Sequence, residues 1–342
     1  MSRAPSVRSS LSICSSLLML SVWTTPGCTG SRAAGPPAST AAGQAGPLPG
    51  AGTPAAIASS IAFVSLEGPL WVAAQHAVLF SDVVEANAPG AAIYRFDPAA
   101  RSFGRVPYPG APGTPTSTNG LGLDATGALL ACERFNGRVA RIAGDGTRTV
   151  LADQWPPGQG GAPLNAPNDL VVRRDGNVYF TDTDWGARPG GTHAPTAVYR
   201  VPPSGPVERV LEMTKPNGIA LSPDGATLYV GSDTQGKLWK LAVDPAGATG
   251  APAPFVDGAG VTGGFKVPDG ICVDDTGNLY VANNADDVKA IVVFDPAGNQ
   301  LGRIPFPVAP SNCTFGGDDR RTMYVTTLHA LYEVPMPTPG LP

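Results

Sequence analysis

A unit of about 50 residues recurs six times along this chain, and that recurrence limits the folds open to it more than any other feature. The clearest copy opens at Pro216-Asn217-Gly218, runs through Ile219-Ala220-Leu221, turns at Asp224-Gly225 and continues into Leu228-Tyr229-Val230. The leading residues of the six copies are Glu67, Asn119, Asn168, Asn217, Asp269 and Asn312, spaced by 52, 49, 49, 52 and 43 residues. Each unit continues into a third apolar stretch, such as residues 237–243, and often a weak fourth, such as 254–256. Short strands with turn signals every few residues indicate an all-β chain. Four strands per unit, repeated radially, predict a six-bladed β-propeller. A solenoid is the competing architecture, but it needs capped ends and neither terminus offers a polar cap.

The rest of the composition agrees. Gly (43) and Pro (37) together make nearly a quarter of the 342 residues, as a turn-rich β-protein requires. Only 15% of residues are charged and the net charge is −4. With no basic run longer than Arg173-Arg174 or Arg320-Arg321, nucleic acid is excluded as the main partner.

The first residues read as an export signal, 1–27: Arg3 and Arg8 precede an apolar stretch at 11–23, and Thr25-Pro26-Gly27-Cys28 offers a cleavage site of lipoprotein type. The expected location is therefore periplasmic, cell-surface or secreted, with any membrane attachment limited to a lipid on Cys28. Residues 28–56 are small, Gly/Pro/Ala-rich and expected to form a disordered tether. The propeller is expected over 57–342. Of the remaining cysteines, Cys132, Cys272 and Cys313 show no metal-ligand spacing. They read as small buried apolar residues, with one disulfide plus one free thiol as the other reading.

The Asx residues fall into two groups. Asp175-Gly176, Asp224-Gly225 and Thr276-Gly277 sit between first and second strands, where they supply hairpin geometry. The six leading residues are placed differently. In a propeller the first strand of each blade lines the central channel, so the residues just before those strands converge on one mouth. Taken singly, each Asn reads as a loop cap. Taken together, two carboxylates and four carboxamides make an all-oxygen set suited to a hard cation such as Ca²⁺.

These motifs, in order and at blade spacing, resemble the senescence-marker-protein/gluconolactonase/luciferin-regenerating-enzyme family. The carriers are Glu67-Gly68-Pro69-Leu70-Trp71, Asn119-Gly120-Leu121, Leu164-Asn165-Ala166-Pro167-Asn168-Asp169, Pro216-Asn217-Gly218, Pro268-Asp269-Gly270 and Asn312-Cys313-Thr314-Phe315-Gly316-Gly317. The third of these looks most like the bacterial gluconolactonase branch. The resemblance covers about residues 60–335 and implies one divalent cation, usually Ca²⁺, held by Glu67, Asn168, Asn217 and Asp269, with Asp269 as catalytic base. It also implies hydrolysis of a small lactone, such as a sugar lactone. The animal branch carries an Arg two residues before the Asn of blade three; here Ala166 stands there, so that branch's substrate contacts do not transfer.

Substrate-binding candidates are Asn119, Glu133, Arg134 and Trp185, and further rim candidates are Asp82, Asp182 and Asn283, all near the ends of second strands. Asp169 reads as a ligand support, a second cation site or an Asx turn. His76, His193 and His329 supply no recognisable pair, and no Gly-x-Ser-x-Gly motif suggests a serine nucleophile. Two alternatives remain open on sequence: an organophosphate or other ester hydrolase using the same site, and a non-catalytic binding propeller with a structural cation.

Overall fold

The computed structural model describes residues 46–84, 92–106, 117–158, 160–185 and 191–341. The expected signal segment 1–27 and Cys28 lie outside the described residues.

The chain forms a six-bladed β-propeller. Six four-stranded antiparallel sheets follow one another, with strands in sequence order within each of the first five. Blade one comprises Leu66–Val72, Ala77–Asp82, Ala92–Asp97 and Ser102–Arg105. The innermost strands of blades two to six are Leu121–Leu123, Ala166–Val172, Pro216–Leu221, Pro268–Val273 and Pro310–Gly316. These inner strands pack against one another in cyclic order, first against last included, and so enclose a channel. Among the described residues no helix is long and apolar enough to cross a membrane.

Hydrophobic burial between blades holds the ring together. The contact of blades three and four shows the pattern: Tyr179 and Val198 meet Ile219, Leu221, Leu228, Val230 and Leu241, all nearly sealed from solvent. Each fully buried aliphatic side chain of this kind contributes about 1.5–3 kcal/mol. The hairpin turns behave as their sequences indicate. Gly176, Gly225 and Gly277 all have positive φ (88°, 68° and 88°), which a glycine adopts without strain.

Ring closure revises the expected 28–56 tether. Ala55–Ala56 forms the outermost strand of blade six, paired with Glu333 and Tyr332. Upstream, the buried Leu48 donates its N–H to the Arg303 carbonyl at 2.9 Å and joins the core of blades five and six. Residues 46–56 are therefore part of the fold. Their small side chains suit an edge strand, and the unpaired edge of blade six supplies the partner that composition could not reveal.

The cysteines also divide. Cys272 and Cys313 form a disulfide between the inner strands of blades five and six, while Cys132 is free and buried. The buried-apolar reading holds for Cys132, and the pairing reading holds for the other two.

Candidate active site at the channel mouth

The six leading residues meet at one mouth of the channel, where the inner strands begin. Two local features put them there. The first is a β-bulge in the pairing of first and second strands of blades one, three, four, five and six, beginning at or beside the leading residue. An extra residue at a bulge re-aims the side chains around it. The second is the glycine that follows four of the six. A Cβ on Gly218 would lie 2.0 Å from the Asp269 carbonyl oxygen, and one on Gly270 would lie 1.9 Å from Cγ of Asn312. The inner strands thus approach so closely that any side chain at these positions would push the blades apart.

Blade three departs from this rule and carries Asp169 in the glycine's place. Its Oδ1 accepts the Leu170 N–H at 2.9 Å, and its Oδ2 accepts from Asn312 Nδ2 at 3.4 Å. It fits because Gly120 beside it has no side chain.

The electrostatics are those of crowded acids. Burial and the charges of Asp269 and Asp169 hold the Glu67 carboxyl well above the usual carboxylate range. Burial pushes Asp269 up to about 7, opposed by a hydrogen bond from Asn284 Nδ2 at 2.8 Å and one from Asn217. Burial likewise raises Asp169 to about 6. Glu67 and Asp269 therefore share one recess, as the sequence reading requires. Asn217 joins them through Asp269. Asn168 sits buried on the neighbouring inner strand. Asn119 is also sealed in the ring, and its Oδ1 is buried with no hydrogen-bond donor.

No three His, Cys, Asp or Glu side chains among the described residues form a ready-made ion cage. The donors are instead two carboxylates, the charge of one acting on the other, supplemented by carboxamide oxygens. That set is all oxygen and electron-rich, and it contains an acceptor lacking a donor, so it fits a hard divalent cation.

The rim candidates separate into two classes. Asp82 Oδ1 accepts the Val64 and Ser65 N–H groups, both at 3.0 Å. Asp182 accepts those of Asn165 and Ala166 at 2.9 and 2.8 Å. Asn283 Oδ1 accepts those of Lys266 and Val267 at 2.9 and 3.1 Å. All three fasten the segment that leads into their own blade's inner strand, and none faces the recess. Glu133 is fully buried and paired with Arg138 and Arg148 of its own blade, so the structure removes it from the substrate contacts proposed from sequence. A buried carboxylate needs such counter-charges more than a neutral ligand does. Ala166 is likewise sealed.

Arg134 does face the site. Its Nε donates to the Trp185 carbonyl at 2.9 Å, and its charge acts on Glu67 and Asp269. Trp185 is 41% exposed, with the Lys215 ammonium 5.0 Å from its ring centroid. His76 pairs with Asp318 at the opposite face, and His329 Nδ1 lies 3.0 Å from the Phe63 carbonyl oxygen, outside the ring.

Sequence reasoning missed Asn284 and Asp233. Asn284 immediately follows Asn283, and Asp233 occupies the matching position in blade four. Asn284 lay one residue beyond the candidate Asn283, and in a strand one residue reverses the face, whereas blade four offered no candidate at all.

A family model described as the SMP-30/gluconolactonase/LRE-like region matches residues 66–329. The chain belongs to this family. It is 28% identical to a gluconolactonase of Zymomonas mobilis over 304 residues, covering 80% of this chain and 79% of that one. It is 27% identical to a pentonolactonase of Haloferax volcanii, over 76% of this chain and 80% of the relative. Among solved structures, a gluconolactonase of Xanthomonas campestris superposes with a TM-score of 0.69 at 30% identity, covering 86% of this chain and 98% of the other. In this member of the family, the four positions that the motifs mark as metal ligands all lie on the inner strands at the same channel mouth, with three of them in electrostatic or hydrogen-bond contact.

Proposed function

We propose that this protein is a lactone hydrolase, acting on a sugar lactone at the channel mouth, with a hard divalent cation (Ca²⁺ being the simplest choice) held by Glu67, Asn168, Asn217 and Asp269. The observation that carries the reading is the pair Glu67 and Asp269, two carboxylates close enough for the charge of Asp269 to act on Glu67, with Arg134 as a nearby counter-charge. Relatives named as gluconolactonase and pentonolactonase support the reaction class.

When bound, such an ion polarises a lactone carbonyl and offsets the negative charge that develops on its oxygen. The chain's own groups do the rest. Asp269 accepts the proton of the attacking water, and Asn284 and Asn217 hold its carboxylate in orientation. Arg134, anchored on the Trp185 carbonyl, presents a fixed positive charge to the oxygen-rich substrate and to the carboxylate released on ring opening. Trp185 offers a flat wall beside it. The Cys272–Cys313 disulfide supports placing the protein in an oxidising compartment outside the cytoplasm.

The test is a panel of five- and six-membered lactones plus a phosphotriester, assayed after chelation and again after Ca²⁺ is restored. Lactone opening should depend on the metal, and Asp269→Ala should lower kcat/KM by about 10²–10⁴-fold while remaining folded. An Asp269→Ala variant as active as the parent sinks the proposal. Faster phosphotriester turnover would select the organophosphate reading. A metal that raises Tm with background turnover would select a binding propeller.

A further inference from the structure

Besides Asp169, which is tied to Leu170 and Asn312, the mouth holds an acidic side chain that the proposed reaction does not use. Asp233 follows the second strand of blade four, Thr227–Ser232, and its N–H bonds the Lys215 carbonyl at 3.3 Å. The matching residue of blade five is Asn284, whose N–H bonds the Val267 carbonyl at 2.9 Å and whose side chain reaches Asp269. The shared register places Asp233 on the inward side of the rim, and its charge acts on Asp269.

Three observations make Asp233 unusual. It is only 3% exposed, and Oδ1 is sealed without a hydrogen-bond partner among the described residues. A buried acceptor left unpaired is unfavourable and calls for an explanation. The cation that should satisfy it is directed elsewhere: Lys215 Nζ lies 3.0 Å from Asp184 Oδ1 and sits over the Trp185 ring. Lys215 also holds a positive φ of 47°, an uncommon conformation for a non-glycine residue at the entrance to the Pro216-Asn217-Gly218 motif. Blade four therefore keeps an acceptor free beside the recess while a lysine supplies background charge without occupying it. Burial pushes Asp233 up to about 6.

We propose that Asp233 accepts hydrogen bonds from the hydroxyl groups of a polyhydroxylated lactone, so that blade four forms a hydroxyl-reading subsite beside Lys215 and Trp185. An O–H group is the donor this position lacks, and a hydroxyl-to-carboxylate bond in a sealed site is among the stronger ones. A lactone without ring hydroxyls leaves the acceptor bare, which is how a polar site discriminates against the stripped analogue. The inference rests on the lactone-hydrolase reading, and the experiment separates the two by measuring binding as well as turnover.

Calorimetry in Ca²⁺ buffer would compare D-gluconate with 5-hydroxypentanoate, the ring-opened products with and without the extra hydroxyls. Turnover of D-glucono-1,5-lactone and δ-valerolactone would be measured in parallel. The parent should favour the hydroxylated member of each pair. Asp233→Ala should reduce that preference about 10- to 100-fold, mainly through Kd and KM, and Asp233→Asn, which retains an acceptor oxygen, should recover part of it. An unchanged preference overturns the proposal, as does an equal loss on both members of a pair or a parent that binds neither product. A tenfold loss of Ca²⁺ affinity in Asp233→Ala also overturns it, because Asp233 would then be a metal ligand. If the parent opens no lactone yet prefers gluconate through Asp233, the hydrolase reading fails and the subsite stands.

Discussion

The two mouths of the channel are built from the same six inner strands. At the near mouth those strands begin with Glu67, Asn119, Asn168, Asn217, Asp269 and Asn312. Three or four residues along, they approach the far mouth with Trp71, Leu123, Val172, Leu221, Val273 and Phe315, which line a cavity of about 510 Å³. The near mouth gathers acids whose ionisation burial opposes. The six named side chains at the far mouth are apolar and belong to or pack against the cores between blades, with Arg173, Arg174, Asp175 and Asp224 also lining the cavity. Function and stability are thus separated along each strand by little more than a bulge and four residues, and each end can be altered with limited effect on the other.

The largest effect is expected at the far mouth. Leu221→Ala removes a nearly sealed side chain from the core of blades three and four. It should cost about 2–5 kcal/mol in denaturant unfolding. Lactone turnover at a temperature where the variant is folded should stay within about twofold of the parent, since transfer and cavity costs fall on stability alone. A loss of turnover comparable to that of Asp269→Ala would mean that the two mouths are coupled.

The next test lies between the mouths. The Cys272–Cys313 disulfide closes a loop of sequence separation 41 and ties two inner strands just past the leading residues. Replacing both cysteines with Ser should lower stability by about 2–4 kcal/mol in non-reducing chemical denaturation. If stability is unchanged, the bridge does not constrain the unfolded chain.

The smallest effect is electrostatic and belongs to the near mouth. Asp269 is raised to about 7 and Asp169 to about 6. A carboxylate with a raised pKa binds its proton more tightly in the folded state. The stability these two groups contribute is therefore fully present at and below the unfolded value of about 4 and is lost as pH rises through 6 and 7. The chelated protein should lose on the order of 5 °C in Tm between pH 5 and pH 8. Millimolar Ca²⁺ should flatten that slope, because a cation favours the ionised forms. A chelated protein equally stable at both pH values would mean that the acids are not crowded.

Much of this architecture was legible beforehand because its causes are local and repeated. Paired apolar strands headed by a carboxylate or carboxamide residue recur six times at 43 to 52 residues, with Asp-Gly or Thr-Gly turns in the middle copies, and a radial repeat carries equivalent residues to equivalent places. That reasoning reached Glu67 and Asp269 together, and it reached Arg134. It was less successful where the outcome depends on which way a strand end turns. Asp82, Asp182 and Asn283 carry the right chemistry, but backbone N–H groups claim them. Glu133 is claimed by two arginines of its own blade. Asn284, one residue beyond Asn283, faces the site instead, as does Asp233 at the matching position of blade four.

Sequence alone determined the number of blades, the hairpin turns and the ring of oxygen donors, because each follows from a short pattern repeated at a constant interval. The tertiary structure decided three other things: the closure of blade six by Ala55–Ala56, the pairing of Cys272 with Cys313, and the choice of rim residues that meet the recess. These depend on contacts between segments far apart in the chain, and on bulges that shift a strand's facing by one residue, neither of which a local pattern encodes.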